Sequence, residues 1–365
     1  LLLAAFAVAA ALAAGAPAGR GAAPLLIGVE GPLSGPQASN GIDMLRGVQL
    51  AVREANARGG VLGRRVEIVR VDDRADPTIA GKVAQQSIAR GIVAVVGPYN
   101  SSVGIANLAL YIRAGVLPVQ MTSSDETTGK GVTVQPKNSQ ISPVEAAYIT
   151  SIEGVRRVAM LVDPSAYTKG MAERMRELLR AEGIAVTAVS FAEGQADYGS
   201  QVAKALASRP DLVYVSSYFP EGAKIAQALQ ASGTQARCFM GLANVDPSFV
   251  KAAGLAASQR CRFSGVPEAT QLPTAGAYVR AYRAAFGRSP GVWGAFTYDS
   301  AKALFLAMRR AGSVEYGSVL EQLQALDGYR GATGSITIDP QTGNRVHVPV
   351  SILSVDATGA FVVVR

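Results

Sequence analysis

The residues best placed to do chemistry stand in VAVVGPYNSSVGIANLALY, positions 93–111. A β-branched run ends in Gly97-Pro98, and a small polar turn, Tyr99-Asn100-Ser101-Ser102, leads into a helical pattern. Strand, glycine turn and helix is an arrangement that offers free backbone N–H groups to an anion. It is not a phosphate loop, because no Gly-Lys-Ser/Thr follows to reach a terminal phosphate. Nor is there a G-x-G-x-x-G with an acid downstream for a ribose. Two hydroxyls at a helix N-terminus remain, and they favour a small anion such as a carboxylate. A serine in this place also serves as a plain helix cap.

The next strand-like run ends the same way, in VLPVQMTSSDETTG. Thr122, Ser123 and Ser124 would then lie on the adjacent loop, beside Ser101. Two neighbouring strand ends that both stop in small hydroxyls make a polar floor at the carboxyl edge of a sheet, where open α/β sheets bind ligands. Further on, LVDPSAYTKG and VYVSSYFPEG put Tyr167 and Tyr218 just past strand ends. There an aromatic ring closes over a ligand or fills a domain interface.

Catalytic sets are poor. His347 is the only histidine and falls near the final strands, far from these loops, which argues against a Ser–His system. The pair Asp72-Asp73 ends a strand in RVDDRADP, where acids more often brace the following turn, and no separate acid/base partner accompanies it. A metal site is not expected from two cysteines and one histidine. A G-x-S-x-G elbow is also missing, which argues against an exported hydrolase.

The elements that position these residues form a repeating series. LLIGVEG precedes the amphipathic IDMLRGVQLAVREANARGG, RVEIVRVDD precedes TIAGKVAQQSIARG, and IVAVVGP precedes SVGIANLALYIRAG. Several strands are continuous β-branched runs, as expected where helices cover both faces of a parallel sheet. A second series begins near residue 143 and runs through RFSGV, so two doubly wound α/β domains with a crevice between them are expected. The tail is mostly helical, then turn-rich, and closes with HVPVSILSV and AFVVVR, strands too few for a third domain that should complete the earlier sheets.

Composition bounds the function. Of 365 residues, 49% are hydrophobic and 17% charged, which suits about two buried cores. The net charge of +8 comes from arginines scattered over helix faces, with no basic run interleaved with aromatics, so nucleic acid is not an expected partner. The first residues, LLLAAFAVAAALAAGAPAGRGAAP, carry no charge before Arg20 and read as part of a cleaved signal peptide over 1–23 rather than a membrane anchor. Export makes Cys238 and Cys261 meaningful. Each opens an apolar run, and on neighbouring parallel strands they would reach disulfide geometry; the alternative is two separate buried thiols.

Together these segments resemble the type I periplasmic solute-binding proteins of ABC transporters, in their leucine/isoleucine/valine-binding branch. The resemblance runs from Leu25 to the end, through IGVEGPLSGPQASNG, VVGPYNSSV, LPVQMTSS, VYVSSYFPEG and PGVWGAFTYDSAKAL. It implies two Rossmann-like lobes joined by three crossovers, the first from 24–142 with 268–346 and the second from 143–267 with 347–365. It also implies a periplasmic, non-enzymatic monomer without cofactor that delivers a small amino acid or related carboxylate to a permease in the inner membrane. The same fold also serves sensory modules and receptors for aromatic acids, amides or ureas.

By the same resemblance, a ligand carboxylate would meet Ser101 and the N–H groups of the two hydroxyl-rich loops. Thr122 would offer its carbonyl to an amino group, and Ser124 a hydroxyl and N–H. Tyr167 and Tyr218 match aromatic positions of the second lobe, Trp293 a side-chain pocket aromatic, and Asn40 a position that often holds tyrosine. Two departures stand out. Where branched-chain amino-acid binders carry an acid after FMG, the run FMGLANVDPSF puts Ala243, with Asn244, Asp246 and Glu221 as imperfect substitutes. A buried ammonium without a carboxylate is expensive, so a carboxylate lacking the amine becomes a candidate ligand. A disulfide frequent in the family would join the positions of Ala75 and Asn100, and neither is a cysteine.

Overall fold

The computed structural model describes residues 22–246 and 248–364. Residues 1–21 of the expected leader lie outside them. No helix among the described residues is long and apolar enough to cross a membrane.

The chain runs through β1 (Leu25–Gly31), α1 (Ala38–Ala57), β2 (Val66–Asp72), α2 (Pro77–Ala89), β3 (Ala94–Val96), α3 (Ser101–Arg113), β4 (Leu117–Gln120) and β5 (Val132–Thr133). These strands form one parallel sheet in the order β2-β1-β3-β4-β5. The central β3 and β4 are buried at every position, whereas the edge strand β2 alternates between core and solvent, as a strand with one free side should.

Next, α4 (Asn138–Ser151) leads into β6 (Arg157–Val162), α5 (Ala166–Ala181), β7 (Ala185–Ser190), α6 (Gly199–Leu206), β8 (Leu212–Ser216), α7 (Glu221–Ala231) and β9 (Arg237–Met240). Two short helices, α8 (Phe249–Ala253) and α9 (Leu255–Gln259), precede β10 (Cys261–Gly265). The helix α4 starts five residues before the second series was expected, because Gln140 Oε1 accepts the Lys137 N–H at 2.9 Å and closes its first turn.

The chain then returns through α10 (Gly276–Phe286), α11 (Val292–Ala311) and α12 (Tyr316–Gln324) to β11 (Tyr329–Gly331), β12 (Gly334–Ile338) and β13 (Arg345–Val346). The helix α11 lies along α1, so close that a side chain at Gly47 would overlap the Gly294 carbonyl. The strands β11–β13 form a small antiparallel sheet of their own, in a segment whose sequence reads only as turns. It is tied to β5, where Thr133 N donates to Gly343 O at 2.9 Å. Finally β14 (Ser351–Val355) and β15 (Phe361–Val363) extend the second sheet, β15-β14-β10-β9-β8-β6-β7, with β14 antiparallel to β10.

The result is two doubly wound α/β lobes with three passages between them: through α4, after β10, and between β13 and β14. In the second sheet Cys238 and Cys261 are register partners on β9 and β10 and are joined by a disulfide. Closing a loop of that length removes unfolded-chain entropy worth about 3 kcal/mol.

Candidate ligand-binding site

The end of β3 passes beside β1 at Gly97, whose φ is +117° and whose missing side chain leaves room for the Glu30 carbonyl. This close approach sets the start of α3. The Ser102 N–H meets no backbone acceptor among the described residues, as befits the first turn of a helix, and the Ser101 N–H faces the Tyr218 hydroxyl. The two serine hydroxyls do different jobs. Ser101 Oγ accepts from Ser124 N at 3.1 Å and knits the two serine loops together. Ser102 Oγ accepts from Ala166 N at 3.0 Å, which begins α5 in the other lobe.

On the loop after β4, Ser123 donates to the Pro136 carbonyl at 2.9 Å and accepts from Gln135 Nε2 at 3.1 Å. Ser124 Oγ accepts from Glu126 N at 3.4 Å, capping one short turn. Thr122 departs from the role the resemblance assigns it. Its carbonyl accepts from the Lys137 ammonium at 3.1 Å and its hydroxyl pairs with Gln120 and Thr127, so the residue lies beneath the loop rather than along the cavity.

Between the lobes is a cavity of about 10 Å³, room for about one water molecule and far below the roughly 300–1,000 Å³ usual for ligand pockets. The first lobe lines it with Tyr99, Met121, Ser123, Gln135 and Trp293, and the second with Tyr167, Tyr218, Leu242 and Ala243. The Tyr99 ring centroid lies 5.5 Å from that of Trp293 and 6.1 Å from that of Tyr218, and Tyr167 lies 5.4 Å from Tyr218, all inclined. Burial pushes the hydroxyls of Tyr99, Tyr167 and Tyr218 up, so they remain neutral. Among the described residues no charged side chain lines this space, and three lining polar atoms make no hydrogen bond: Gln135 Oε1, Trp293 Nε1, which faces the Tyr99 hydroxyl, and Tyr167 Oη, which faces the Ala243 N–H.

Trp293 is placed by a carboxylate from another helix. Buried Asp43 on α1 accepts from Gly291 N at 3.0 Å, Gly294 N at 2.6 Å and the Tyr282 hydroxyl at 2.9 Å, and so caps α11 where the tryptophan enters.

Ala243 lines the cavity, and the three substitutes for the expected acid do not. The Asn244 amide closes its own turn, donating to Ser217 O at 2.9 Å and accepting from Ser217 Oγ at 3.3 Å. Asp246 accepts from Ser39 Oγ across the lobes at 2.6 Å and from Ser248 N at 2.7 Å. Glu221 accepts from Gly194 N at 3.1 Å. Asn40 is buried on α1 and lines neither this cavity nor the next.

Tyr218 also borders a second space of about 170 Å³ that is lined by Ala75, Asn100, Ser102 and Glu193 among others. Ala75 and Asn100 both border this space, without thiols. Burial raises the Glu193 carboxyl to about 7, and Asp163 and Glu221 add to the shift. Asp72 and Asp73 brace turns: Asp72 Oδ1 accepts from Leu33 N at 2.9 Å, and Asp73 Oδ1 from Ala75 N at 2.8 Å.

Met121, Gln135 and Leu242 are lining residues that the sequence reading passed over. Gln135 follows β5, so the strand-end rule that found Ser101 and Ser123 reaches it as well. Lys137 had no such signal, since a lone lysine reads as surface.

A crevice between two doubly wound lobes, closed by aromatics from both and free of charged side chains, defines a receptor for a small molecule. The chain belongs to the family described as Periplasmic binding protein, which it matches over residues 24–360; this is a family of binding proteins, not enzymes. It is 31% identical over 302 residues to the Leu/Ile/Val-binding protein BraC3 of Rhizobium johnstonii, covering 80% of this chain and 81% of that one. Among solved structures it is similar to the branched-chain amino acid transporter substrate-binding protein LivJ of Streptococcus pneumoniae in complex with isoleucine. There the identity is 25%, the TM-score 0.83, and the coverage 93% of this chain and 97% of the other. A leucine-binding protein, LivK, of Thermotoga maritima shares the fold at a TM-score of 0.87 and 24% identity, over 93% and 98% of the two chains.

Proposed function

We propose that this chain is the exported receptor of an ABC importer, and that it takes a small carboxylate with an apolar or aromatic body and no ammonium group. The relatives named for leucine, isoleucine and valine support the solute-receptor role. The observation that carries the ligand class is the cavity wall. Ala243 stands where an ammonium would need an acid, and Asn244, Asp246 and Glu221 are committed elsewhere. The Ser123 N–H in the cavity wall and the Ser102 N–H at the start of α3 supply donors for an anion. The Tyr99, Tyr167, Tyr218 and Trp293 rings supply an apolar enclosure.

Calorimetric titration with 4-methylpentanoate, benzoate, leucine and 4-methylpentanamide tests this reading. One of the two acids should bind tightest. Replacing Ser101 and Ser124 together by alanine should weaken it about ten- to hundredfold, since hydrogen bonds to a charged group are worth about 1.5–3 kcal/mol. Tightest binding by leucine, or equal binding of the amide and its acid, would refute it.

A further inference from the structure

Lys137 is fully buried, and nothing in the family resemblance accounts for it. Its ammonium donates to Thr127 Oγ1 at 2.7 Å, to the Thr122 carbonyl at 3.1 Å and to the Ser124 carbonyl at 3.1 Å, with Gln120 Oε1 further off at 3.5 Å. Three protons and three close acceptors saturate it. Among the described residues no carboxylate touches it. Asp125, the acid that acts on it most, is 2.7 Å from Arg174 of the other lobe. A buried ammonium with no counter-ion costs several kcal/mol, which a structural bracket alone could avoid by using an amide.

The geometry of the loop shows what the charge does. In a trans peptide the carbonyl and the following N–H point in opposite directions. Pinning the Thr122 carbonyl therefore turns the Ser123 N–H away from the lysine, and the Ser124 carbonyl, which also accepts from Thr127 N at 3.2 Å and Thr127 Oγ1 at 2.8 Å, turns the Asp125 N–H the same way. Ser123 lines the cavity, and its N–H meets no acceptor among the described residues. Lys137 holds the loop and does not itself line the cavity that Ser123 lines.

We propose that Lys137 is a positioning residue of the ligand site: it turns the donor side of the 122–124 loop toward the ligand and sets a positive charge beneath it, so that anion binding depends on whether this one lysine is protonated. The ligand half of this proposal rests on the carboxylate reading above; the loop half does not.

Burial lowers the Lys137 ammonium to about 7, with Asp125 pulling it up and Lys130 pushing it down. A bound carboxylate favours the protonated form. Affinity is therefore greatest below pH 7 and falls as pH rises through it, and binding near neutrality takes up protons.

The first arm of the test uses the ligand-free wild-type protein. The Lys137 side-chain carbon and the Ser123 and Asp125 amides are followed by NMR from pH 5.5 to 9.5. All three should titrate together near neutrality, and the amide response should vanish in Lys137→Met. Amides that stay flat while Lys137 titrates overturn the proposal even if that variant does not fold. In the second arm, 4-methylpentanoate and benzoate are titrated at pH 6.0 and 8.5. The wild type should lose at least tenfold in affinity across that range, and folded Lys137→Met should bind weakly with no pH dependence. Retention of both affinity and pH dependence by that variant also overturns it. If neither acid binds, the carboxylate reading fails, and the amide titration alone decides the role of Lys137.

Discussion

In the proposed carboxylate receptor, the side chain at position 243 sets which half of an amino acid the cavity would recognise. Ala243 is 3% exposed and lines the cavity with Tyr167 and Tyr218, and no acid shares that lining among the described residues. Replacing it by glutamate would place a carboxylate where an ammonium group could meet it. We expect Ala243→Glu to raise the affinity for leucine relative to 4-methylpentanoate by about tenfold or more, which is about 1.4 kcal/mol. The ligand-free variant should also melt lower, because its new acid is buried without a partner. Paired calorimetric titrations of the two ligands check this, and an unchanged ratio in a folded variant counts against the placement of Ala243.

At the scale of elements, α4 is both the first passage between the lobes and the seat of a buried acid. Glu145 accepts from the Tyr214 hydroxyl on β8 at 2.7 Å and from the Ser264 hydroxyl on β10. Burial raises its carboxyl to about 7 despite these donors. In the folded state Glu145 thus keeps a proton that the unfolded chain sheds near pH 4.5. Its contribution to stability is full below that pH and is lost as pH rises through about 7, in all on the order of 3 kcal/mol. Glu145→Gln should therefore flatten the decline of unfolding free energy between pH 5 and 7.5, as measured by urea denaturation, with both hydroxyls free to turn toward the amide. A slope equal to that of the wild type would show that Glu145 is not the group titrating. Glu30, Asp73 and Glu193 are raised too, so some slope should persist.

The whole molecule is held closed by contacts that sit around the ligand cavity. Ser39 to Asp246, Ser102 to Ala166 N and Arg174 to Asp125 each join one lobe to the other. The Arg174 pair is partly exposed and worth about 0–1 kcal/mol, and the Ser39 hydrogen bond about 1 kcal/mol. Such small terms suit a hinge that must also open. Removing both with Ser39→Ala and Arg174→Ala should shift the ligand-free protein toward the open form, read as a larger radius of gyration in X-ray scattering. Ligand affinity should drop several-fold. Trp293, the only tryptophan, packs on Tyr99 in the cavity wall, so its fluorescence reports closure in the same samples. Identical scattering from wild type and variant would rule these contacts out as latches.

Much of this was legible from local pattern. β-branched runs alternating with amphipathic segments specify covered parallel strands, and strand ends rich in serine, threonine and tyrosine point to the carboxyl edge where the lobes meet. That reasoning reached Tyr99, Ser123, Tyr167 and Tyr218 of the cavity wall, and the family resemblance added Ala243 and Trp293. The β11–β13 sheet escaped it because its short strands are held by distant partners, Arg345 donating to Thr333 and Val134 and Asp299 receiving the Ala332 and Thr333 N–H groups.

By itself the amino-acid sequence determined the two βα series, the hydroxyl-rich loops and the absence of an acid at Ala243, since each is a matter of periodicity or residue type over a few neighbours. Only the tertiary structure decided where those hydroxyls and carbonyls point. Ser101 reaches Ser124, Ser102 reaches the other lobe, and the Thr122 carbonyl turns down to Lys137. The reason is desolvation: once a loop is buried, each polar group takes the partner that packing brings near, and in this loop that partner is a lysine 15 residues along the chain from the carbonyl it holds.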